Sequence, residues 1–334
     1  MADAQPVLDL IEAFRRSKVM FTAVSLGLFD RLEKSPADAA ELAREQNLDA
    51  NALERLLDAC VALGLLERAG DRCRNLPVAS RYLRRESPDT LTGYILYSDR
   101  ILYPIWGHLE DAVREGTHRW EQTFGGKAGI FDELFSTEDS KLTFLAGMHG
   151  MGLLSSPAVI AALDLSRFSH LCDLGGATGH LAIEACRHYP KLRATIFDLP
   201  GVAAVAQQYI EAAALAGRMD TCNGDFFSDP LPEADLYSLG RILHDWSEPK
   251  IVTLLERIYR QLPPAGGLLV AEKILYPRKD GPASANLQSL NMLVVTEGKE
   301  RTAAEYEALL RRAGFREFHA RSTGRHLDAM LAIK

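Results

Sequence analysis

A glycine-rich stretch in the middle of the chain, residues 170–180 (HLCDLGGATGH), contains residue types that can hold a nucleoside. The pattern predicts a buried strand, a tight turn at Gly175 and Gly176, and then the start of a helix. Such a turn offers backbone N–H groups to a ligand at the helix N-terminus. Glycine suits this place because it adopts positive φ and has no Cβ to hold a ligand off the main chain. We therefore predict a nucleoside cofactor at the carboxyl edge of a parallel sheet.

The next two predicted strands also end in side chains that fit a nucleoside. Asp198 lies at the end of one strand, where a carboxylate can accept hydrogen bonds from both ribose hydroxyls. Asp225 and Phe226 follow the other strand, and they could accept from an adenine amino group and stack on its ring. The alternative for Asp225 is a turn or a helix cap. Three strand ends that meet at one edge favour the nucleoside.

The glycine spacing indicates which nucleoside cofactor is bound. It does not match the dinucleotide pattern G-x-G-x-x-G. It fits D-x-G-x-(G or A)-x-G, formed by Asp173, Gly175, Ala177 and Gly179. This pattern resembles the first motif of S-adenosylmethionine-dependent methyltransferases. Ala177 stands where a glycine is frequent, and we expect it to fit there with a negative φ.

A histidine follows a further predicted strand, residues 235–239, and is a candidate general base. His244 is flanked by Asp245 and Trp246. A phenol has a pKa of about 10, so a base must remove its proton during methyl transfer. Histidine suits this task, with an ordinary pKa of about 6.5, and a neighbouring carboxylate can orient it. The alternative is a structural histidine in the core, but the position at a strand end beside the cofactor site favours catalysis.

Two regions of the chain must position these residues. After residue 155, strands and helices alternate, which predicts an α/β fold with a doubly wound, Rossmann-like, mostly parallel sheet. The first hundred residues predict helices and then a β-hairpin with a turn at Gly70 and Asp71, a winged-helix plan. This module could bind DNA or pack in a dimer, and packing is favoured because helix 51–63 is net acidic. We predict domains at 1–95 and 96–334.

Composition restricts the class of protein. The chain has 334 residues, 47% of them hydrophobic, and a net charge of −7, which argues against general nucleic-acid binding. Its five cysteines have no metal-ligand spacing, so we expect no metal and a reducing, cytoplasmic compartment. We expect no signal peptide and no membrane association, since no apolar run approaches the ~20 residues that span a bilayer.

Four further motifs resemble those of one family. They are residues 197–200 (FDLP), 224–227 (GDFF), 243–246 (LHDW) and 298–302 (GKERT). The chain is identified by them as similar to the dimeric small-molecule O-methyltransferases, which include plant caffeate and isoflavone enzymes. Residues 148–151 and 289–298 are most similar to the acetylserotonin (hydroxyindole) branch. The resemblance covers nearly the whole chain, and it implies a seven-stranded catalytic domain and a homodimer formed through the winged-helix domain.

The resemblance also implies a role for each matching residue. His244 would be the general base, oriented by Glu272 and Glu300. S-adenosylmethionine would be bound by Asp173, Gly175, Gly176, Asp198, Leu199, Gly224, Asp225, Phe226, Arg241 and Trp246. The small-molecule acceptor would meet Met148, His149, Met151, Asp245, Asn291, Met292 and Val295. Acetylserotonin enzymes have a Gln at the place of Val295, so this chain lacks one hydrogen-bonding partner for a substrate amide.

The function predicted from the sequence is transfer of a methyl group to the hydroxyl of a small, aromatic acceptor. Two alternatives remain open at this point. One is a thiol or carbon acceptor, because a thiol has a pKa of about 8.5 and needs less help from a base. The other is a non-catalytic cofactor-binding protein that uses its winged helix for regulation.

Overall fold

The computed structural model describes residues 3–125, 134, 135 and 137–334. The chain divides into two compact units. The first is Met1–Tyr103 with Leu142–Gly150, and the second is Pro104–Lys141 with Met151–Lys334. The boundary expected after residue 95 stays a prediction.

The first unit is mostly helical. Its helices are α1 Gln5–Ser25, α2 Leu28–Lys34, α3 Ala39–Gln46, α4 Ala50–Ala62, α5 Pro77–Tyr82 and α6 Thr92–Tyr97, and a π-helical turn covers Ser98–Leu102. Asp38 and Asp49 cap α3 and α4, each accepting a backbone N–H from the first turn. Gly27 separates α1 from α2 with a φ of 67°.

A β-hairpin follows α4, as predicted. Strands β1 (Leu66–Ala69) and β2 (Arg72–Asn75) pair antiparallel, with Leu66 opposite Asn75. Gly70 begins the two-residue turn with a φ of 61°, which glycine adopts without strain. The core beneath contains fully buried side chains from the helices and the hairpin, among them Phe29 and Leu57.

The second unit contains the sheet. Its strands are β3 His170–Leu174, β4 Arg193–Asp198, β5 Met219–Asn223, β6 Leu236–Gly240, β7 Gly267–Glu272, β8 Glu317–Arg321 and β9 Asp328–Ile333. Its helices include α8 Leu109–Glu115, α9 Trp120–Phe124, α11 His180–His188, α12 Val202–Ala212, α13 Glu248–Gln261, α14 Ala283–Val295 and α15 Ala303–Ala313. Helix α7, Tyr103–Trp106, begins at the boundary between the units, and α10, Glu138–Ala161, contributes to both.

The strand order is β5-β4-β3-β6-β7-β9-β8. The strands from β5 to β7 are parallel, and β8 and β9 are antiparallel to their neighbours. This confirms the mostly parallel, seven-stranded sheet. The order reverses between β3 and β6, and the carboxyl ends of strands at such a switch point form a crevice where ligands bind.

Two apolar cores cover the faces of the sheet. Alternation along β3 sends Leu171 to one core and Cys172 to the other. Helices α11 and α12 pack on the first face, and α13 and α15 pack on the second. The site therefore rests on a sheet that is buried on both faces.

Helix α10 is the one helix in the described ranges that is long and apolar enough, by length and composition, to cross a membrane. Long core helices have the same composition. Val159 and Ile160, near its end, are fully buried in the core of the sheet. The helix is therefore weak support for a membrane span.

Candidate functional site

The glycine turn between β3 and α11 forms a cradle without side chains. Gly175 and Gly179 have φ values of 66° and 76°, the left-handed region that favours glycine. A Cβ on Gly175 would lie 2.6 Å from Cδ1 of Ile242 and 3.3 Å from Cε1 of Phe226. The absence of a side chain at Gly175 therefore lets the turn pack closely against Ile242 and Phe226.

Ala177 corrects one expectation. Its φ is +51°, not negative, so an alanine occupies the left-handed region within the turn. The Asp198 carboxylate supports this geometry because its Oδ2 accepts the Ala177 N–H at 2.8 Å. Its Oδ1 accepts the N–H of Leu199, which was also predicted to bind the cofactor, at 2.7 Å. Burial raises the pKa of Asp198 to about 6, although these two hydrogen bonds act to lower it.

Asp173 lies beneath the turn and is 2% exposed. Its Oδ1 accepts from the Ser238 hydroxyl at 2.6 Å, and a Cβ on Gly176 would lie 2.8 Å from its Oδ2. Burial raises the pKa of this carboxyl group to about 7. These contacts place Asp173 where it holds β3, β6 and the turn together.

The segment after β5 packs beside the turn. Gly224 is buried, and a Cβ there would lie 2.3 Å from Cζ of Phe197. The half-buried Phe226 lies beside Gly175, and its adenine-stacking role stays a prediction. The Asp225 carboxylate, however, accepts from Phe227 N–H and the Ser228 hydroxyl. The turn, which was the less favoured alternative for Asp225, is therefore present. The role of Asp225 toward adenine stays a prediction.

The other predicted cofactor residues lie at the same edge of the sheet. Arg241 follows β6 with a φ of 56°, and its N–H donates to the carbonyl of Ala271 on β7. Leu199 is 37% exposed. The half-buried Trp246 packs edge-on against Phe227, with ring centroids 5.0 Å apart.

His244 lies in a short 3-10 turn, Leu243–Asp245, directly after β6, and is buried with two glutamates. Its Nδ1 lies 2.7 Å from Oε1 of Glu300 and 3.3 Å from Oε2 of Glu272. Its Nε2 lies 3.7 Å from Oδ1 of Asp245. Glu272 ends β7, and its Oε1 accepts N–H groups of Ile242, Leu243 and His244 at 3.0, 2.9 and 3.3 Å.

The charges around His244 change its titration. Burial acts to lower its pKa, but Glu272, Glu300 and Asp245 outweigh burial and raise it to about 10. Burial raises the pKa of Glu272 to about 7 and that of Asp245 to about 6, while the charge of His244 opposes both shifts. The carboxylates around His244 therefore stabilise a proton on its imidazole.

His244, Glu272 and Glu300 are also close enough to be considered as a metal site, since one ligand atom of each lies within 4.8 Å of the others. Their shortest contact, 2.7 Å, has the length of a charge-assisted hydrogen bond. We therefore interpret the cluster as a histidine hydrogen-bonded to a buried carboxylate, and the general-base role of His244 stays a prediction.

Helix α14 carries the predicted acceptor residues Asn291, Met292 and Val295, all buried. The Asn291 Oδ1 accepts from Nε1 of Trp106 at 2.8 Å, so its Nδ2 donors point away from that contact. The Val295 carbonyl accepts from Nε1 of Trp120 at 2.6 Å. Two indoles thus hold α14 on this side.

Three predicted acceptor residues lie on α10. Met148 and His149 belong to the first unit and Met151 to the second, and all three are half-buried. Their contact with an acceptor stays a prediction.

Three residues that the structure places around these groups were given no role from the sequence. Trp106 lay in an aromatic stretch that resembled a core helix. Arg301 lay inside the motif at 298–302, and that motif was the available signal. Tyr306 follows that motif in the sequence and is fully buried on α15.

Comparison with known proteins agrees with this geometry. The O-methyltransferase domain model matches residues 106–316, and the O-methyltransferase dimerisation domain model matches residues 8–85. Human acetylserotonin O-methyltransferase is 43% identical over 333 residues, covering 98% of this chain and 96% of its own length. A human probable bifunctional dTTP/UTP pyrophosphatase/methyltransferase protein is 41% identical over 331 residues, and the match covers 98% of this chain but 53% of that protein.

A solved structure is also similar. The crystal structure of human N-acetylserotonin methyltransferase in complex with S-adenosylmethionine superposes with a TM-score of 0.94 at 42% identity, covering 100% of this chain and 98% of that one. With the glycine cradle and the buried His244 cluster, these findings show that the chain belongs to the O-methyltransferase family and is an S-adenosylmethionine-dependent O-methyltransferase.

Proposed function

We propose that this enzyme methylates the hydroxyl of a small aromatic acceptor, a phenol or a hydroxyindole, with His244 as the general base. The observation that carries the proposal is the pairing of His244 Nδ1 with two buried carboxylates, Glu300 at 2.7 Å and Glu272 at 3.3 Å. With Nδ1 donating to a carboxylate, Nε2 is the nitrogen that can take a proton.

The proposed role of His244 follows from its titration. A phenol has a pKa of about 10, and the glutamates raise the pKa of His244 to a similar value, about 10, against the opposing effect of burial. The raised pKa of His244 favours transfer of a proton from the acceptor to Nε2. Glu300 and Glu272 stabilise the imidazolium, and Asp245 stays beside Nε2 at 3.7 Å.

S-adenosylmethionine, when bound, supplies the methyl group as a sulfonium. The glycine turn and Phe226 would bind its nucleoside, and the half-buried Asp198 would accept from its ribose. The proposed cofactor site would also include Gly224, Leu199, Arg241 and Trp246. Asp173 would act from below by fixing the turn. Binding both molecules on one rigid edge aligns the acceptor oxygen for in-line displacement.

The nature of the acceptor is proposed from α14 and α10. Asn291 would present its amide nitrogen to the acceptor, and the apolar Met151, Met292 and Val295 of the same unit would pack against its rings. The roles of Met148 and His149, which belong to the first unit, stay predictions from the sequence. The human relative is named for acetylserotonin. Because the Val295 side chain forms no hydrogen bond, we expect this enzyme to discriminate less in favour of an acceptor amide than that relative does.

The decisive experiment compares two variants. His244→Ala should lower kcat by about 10²–10⁴-fold and leave the Kd of S-adenosylhomocysteine within twofold of wild type. Asp198→Ala should weaken binding of S-adenosylhomocysteine, raising its Kd about tenfold or more. The variant would remove the two proposed hydrogen bonds from the ribose hydroxyls to the charged carboxylate. N-acetylserotonin and 5-hydroxyindole serve as acceptors. Equal loss of cofactor binding in both variants, or wild-type turnover by His244→Ala, would refute the assignment.

We also infer a homodimer formed through the first unit, in the cytoplasm. Support comes from the matched dimerisation domain and from an exposed apolar face on α1. Val7, Leu10, Ile11 and Phe14 are 60, 77, 57 and 53% exposed, at spacings that share one helix face. The five cysteines are free thiols, as in a reducing compartment. We propose neither nucleic acid nor a membrane as a partner.

A further inference from the structure

The turn that carries His244 is held along its length by the segment 297–301, which we call the support segment. A Cβ on Gly298 would lie 2.0 Å from the carbonyl oxygen of His244, so the two backbones are in close contact. Glu297 Oε1 accepts the N–H of Ser247, two residues after the turn. Glu300 binds the imidazole itself. The base is therefore held from its backbone as well as from its ring.

Arg301 is the most deeply placed cation of this segment. It is 1% exposed, and its guanidinium donates from one nitrogen to the carbonyls of Leu243 at 3.3 Å and Lys299 at 3.0 Å. Its Nε has no hydrogen-bond partner in the part of the chain that the structure describes. A fully buried arginine is costly unless its charge is compensated. Glu272, Glu300 and Arg301 all act on the pKa of the fully buried Tyr306, so the three charged groups lie in one buried region.

Arg301 and Glu272 act on the same residue from opposite ends. Glu272 Oε1 accepts the N–H of Leu243, and Arg301 donates to the carbonyl of Leu243. The peptide groups on either side of Leu243 are thus both fixed by buried, charged side chains. Since Leu243 directly precedes His244, its orientation determines where the imidazole lies relative to an acceptor.

We propose that Arg301 is a positioning residue for methyl transfer, holding the Leu243–His244 turn so that the imidazole keeps its place beside the acceptor hydroxyl. This inference rests on the proposed role of His244. Arg301 touches neither the acceptor nor the cofactor in this scheme, and it acts through the backbone of the turn. Burial and the nearby charges of Glu272 and Glu300 raise the pKa of Tyr306, which is fully buried on α15.

The test uses the full-length enzyme with N-acetylserotonin or 5-hydroxyindole as acceptor. Arg301→Met keeps most of the volume but removes the donors and the charge. We expect kcat per S-adenosylhomocysteine-binding site to fall about 10²-fold, because a misplacement of about 1 Å can have that effect. KM for S-adenosylmethionine and Kd for S-adenosylhomocysteine should stay within twofold. Arg301→Lys, which keeps a charge and a donor but not the planar guanidinium, should recover about one order of magnitude and stay about tenfold below wild type.

Leu255→Ala is the matched control for stability. Leu255 is fully buried in the same core and makes none of the hydrogen bonds that hold the turn in the described structure, so the variant should lower the melting temperature and leave kcat per site unchanged. Wild-type kcat in Arg301→Met overturns the proposal, as does a loss of cofactor binding in parallel with kcat. If Arg301→Met does not fold, Arg301→Lys decides: a lower kcat with unchanged Kd supports the proposal, and wild-type kcat overturns it. Failure of His244→Ala to lose turnover would refute the proposed base, whatever Arg301 does.

Discussion

Nδ1 of His244 lies 2.7 Å from Oε1 of Glu300, and both side chains are almost fully buried. The charge of Glu300 is one of the causes that raise the pKa of His244 to about 10, against the lowering effect of burial. Below that pH the free base is a minority, so the rate of methyl transfer should increase with pH between about 7 and 10.

Glu300→Gln should move this pH dependence. Loss of a negative charge lowers the pKa of His244, so the acidic limb of the kcat–pH profile should shift to lower pH. The maximum kcat should fall by about 10²–10⁴-fold, because a glutamine can turn its amide N–H toward the ring and favour the wrong tautomer. Wild type and Glu300→Gln are measured with the same acceptor, so titration of the acceptor affects both pH profiles equally. An unshifted acidic limb would contradict the role of Glu300.

Ala177→Gly should stabilise the protein. An alanine with a φ of +51° is strained by about 1 kcal/mol, and glycine removes that strain. Part of the gain is lost because glycine is more flexible in the unfolded chain. We expect the melting temperature to rise by about 1–3 °C.

The control for Ala177→Gly is Ala214→Gly. Ala214 has a φ of +57° just beyond α12, away from the cofactor turn, so relief of strain alone should give a similar increase in melting temperature. A change in the Kd of S-adenosylhomocysteine should be confined to Ala177→Gly. A decrease in melting temperature in Ala177→Gly would show that the alanine methyl makes contacts that outweigh its strain.

Trp106→Phe should affect the acceptor and spare the cofactor. The variant removes the hydrogen bond from Nε1 to Asn291 and leaves the amide free to rotate. We expect KM for the acceptor to rise about 5–12-fold, the effect of about 1–1.5 kcal/mol of lost hydrogen bonding. Trp120→Phe, which removes a bond to the backbone carbonyl of Val295, is the control and should change KM less than twofold. Equal effects would indicate that both indoles only support α14.

Leu10→Glu should dissociate the dimer. Leu10 is 77% exposed in the apolar face of α1, and a charge there would be buried without a partner at a dimer interface. Analytical ultracentrifugation should show a monomer at micromolar concentration. Val113→Glu, 62% exposed on α8 and outside the matched dimerisation domain, should remain dimeric. A dimer that survives Leu10→Glu would place the interface elsewhere.

The fold and the edge of the sheet that carries the site were predictable because each strand end has a distinct pattern. Strands β3, β4 and β6 each run into a side chain with clear chemistry, at Asp173, Asp198 and His244. The length of helix α1 was harder to predict, and the helix runs without a break from Gln5 to Ser25.

Contacts between distant parts of the chain were not predictable. The φ of Ala177 depends on the hydrogen bond from its N–H to Asp198, 21 residues further on. The attachment of Trp106 to Asn291 joins positions 185 residues apart. Propensity and spacing describe local preference, and such long-range contacts override it.

Glu272 holds the turn through main-chain N–H groups, and this has a consequence for sequence variation. Side chains at 242, 243 and 244 can be exchanged without removing a donor, except for proline, which has no N–H. Proline at any of these three positions should therefore abolish activity even where its ring is accommodated. Among active variants, position 242 should therefore accept many residues but not proline. That pattern would indicate that Glu272 binds the main chain of the turn.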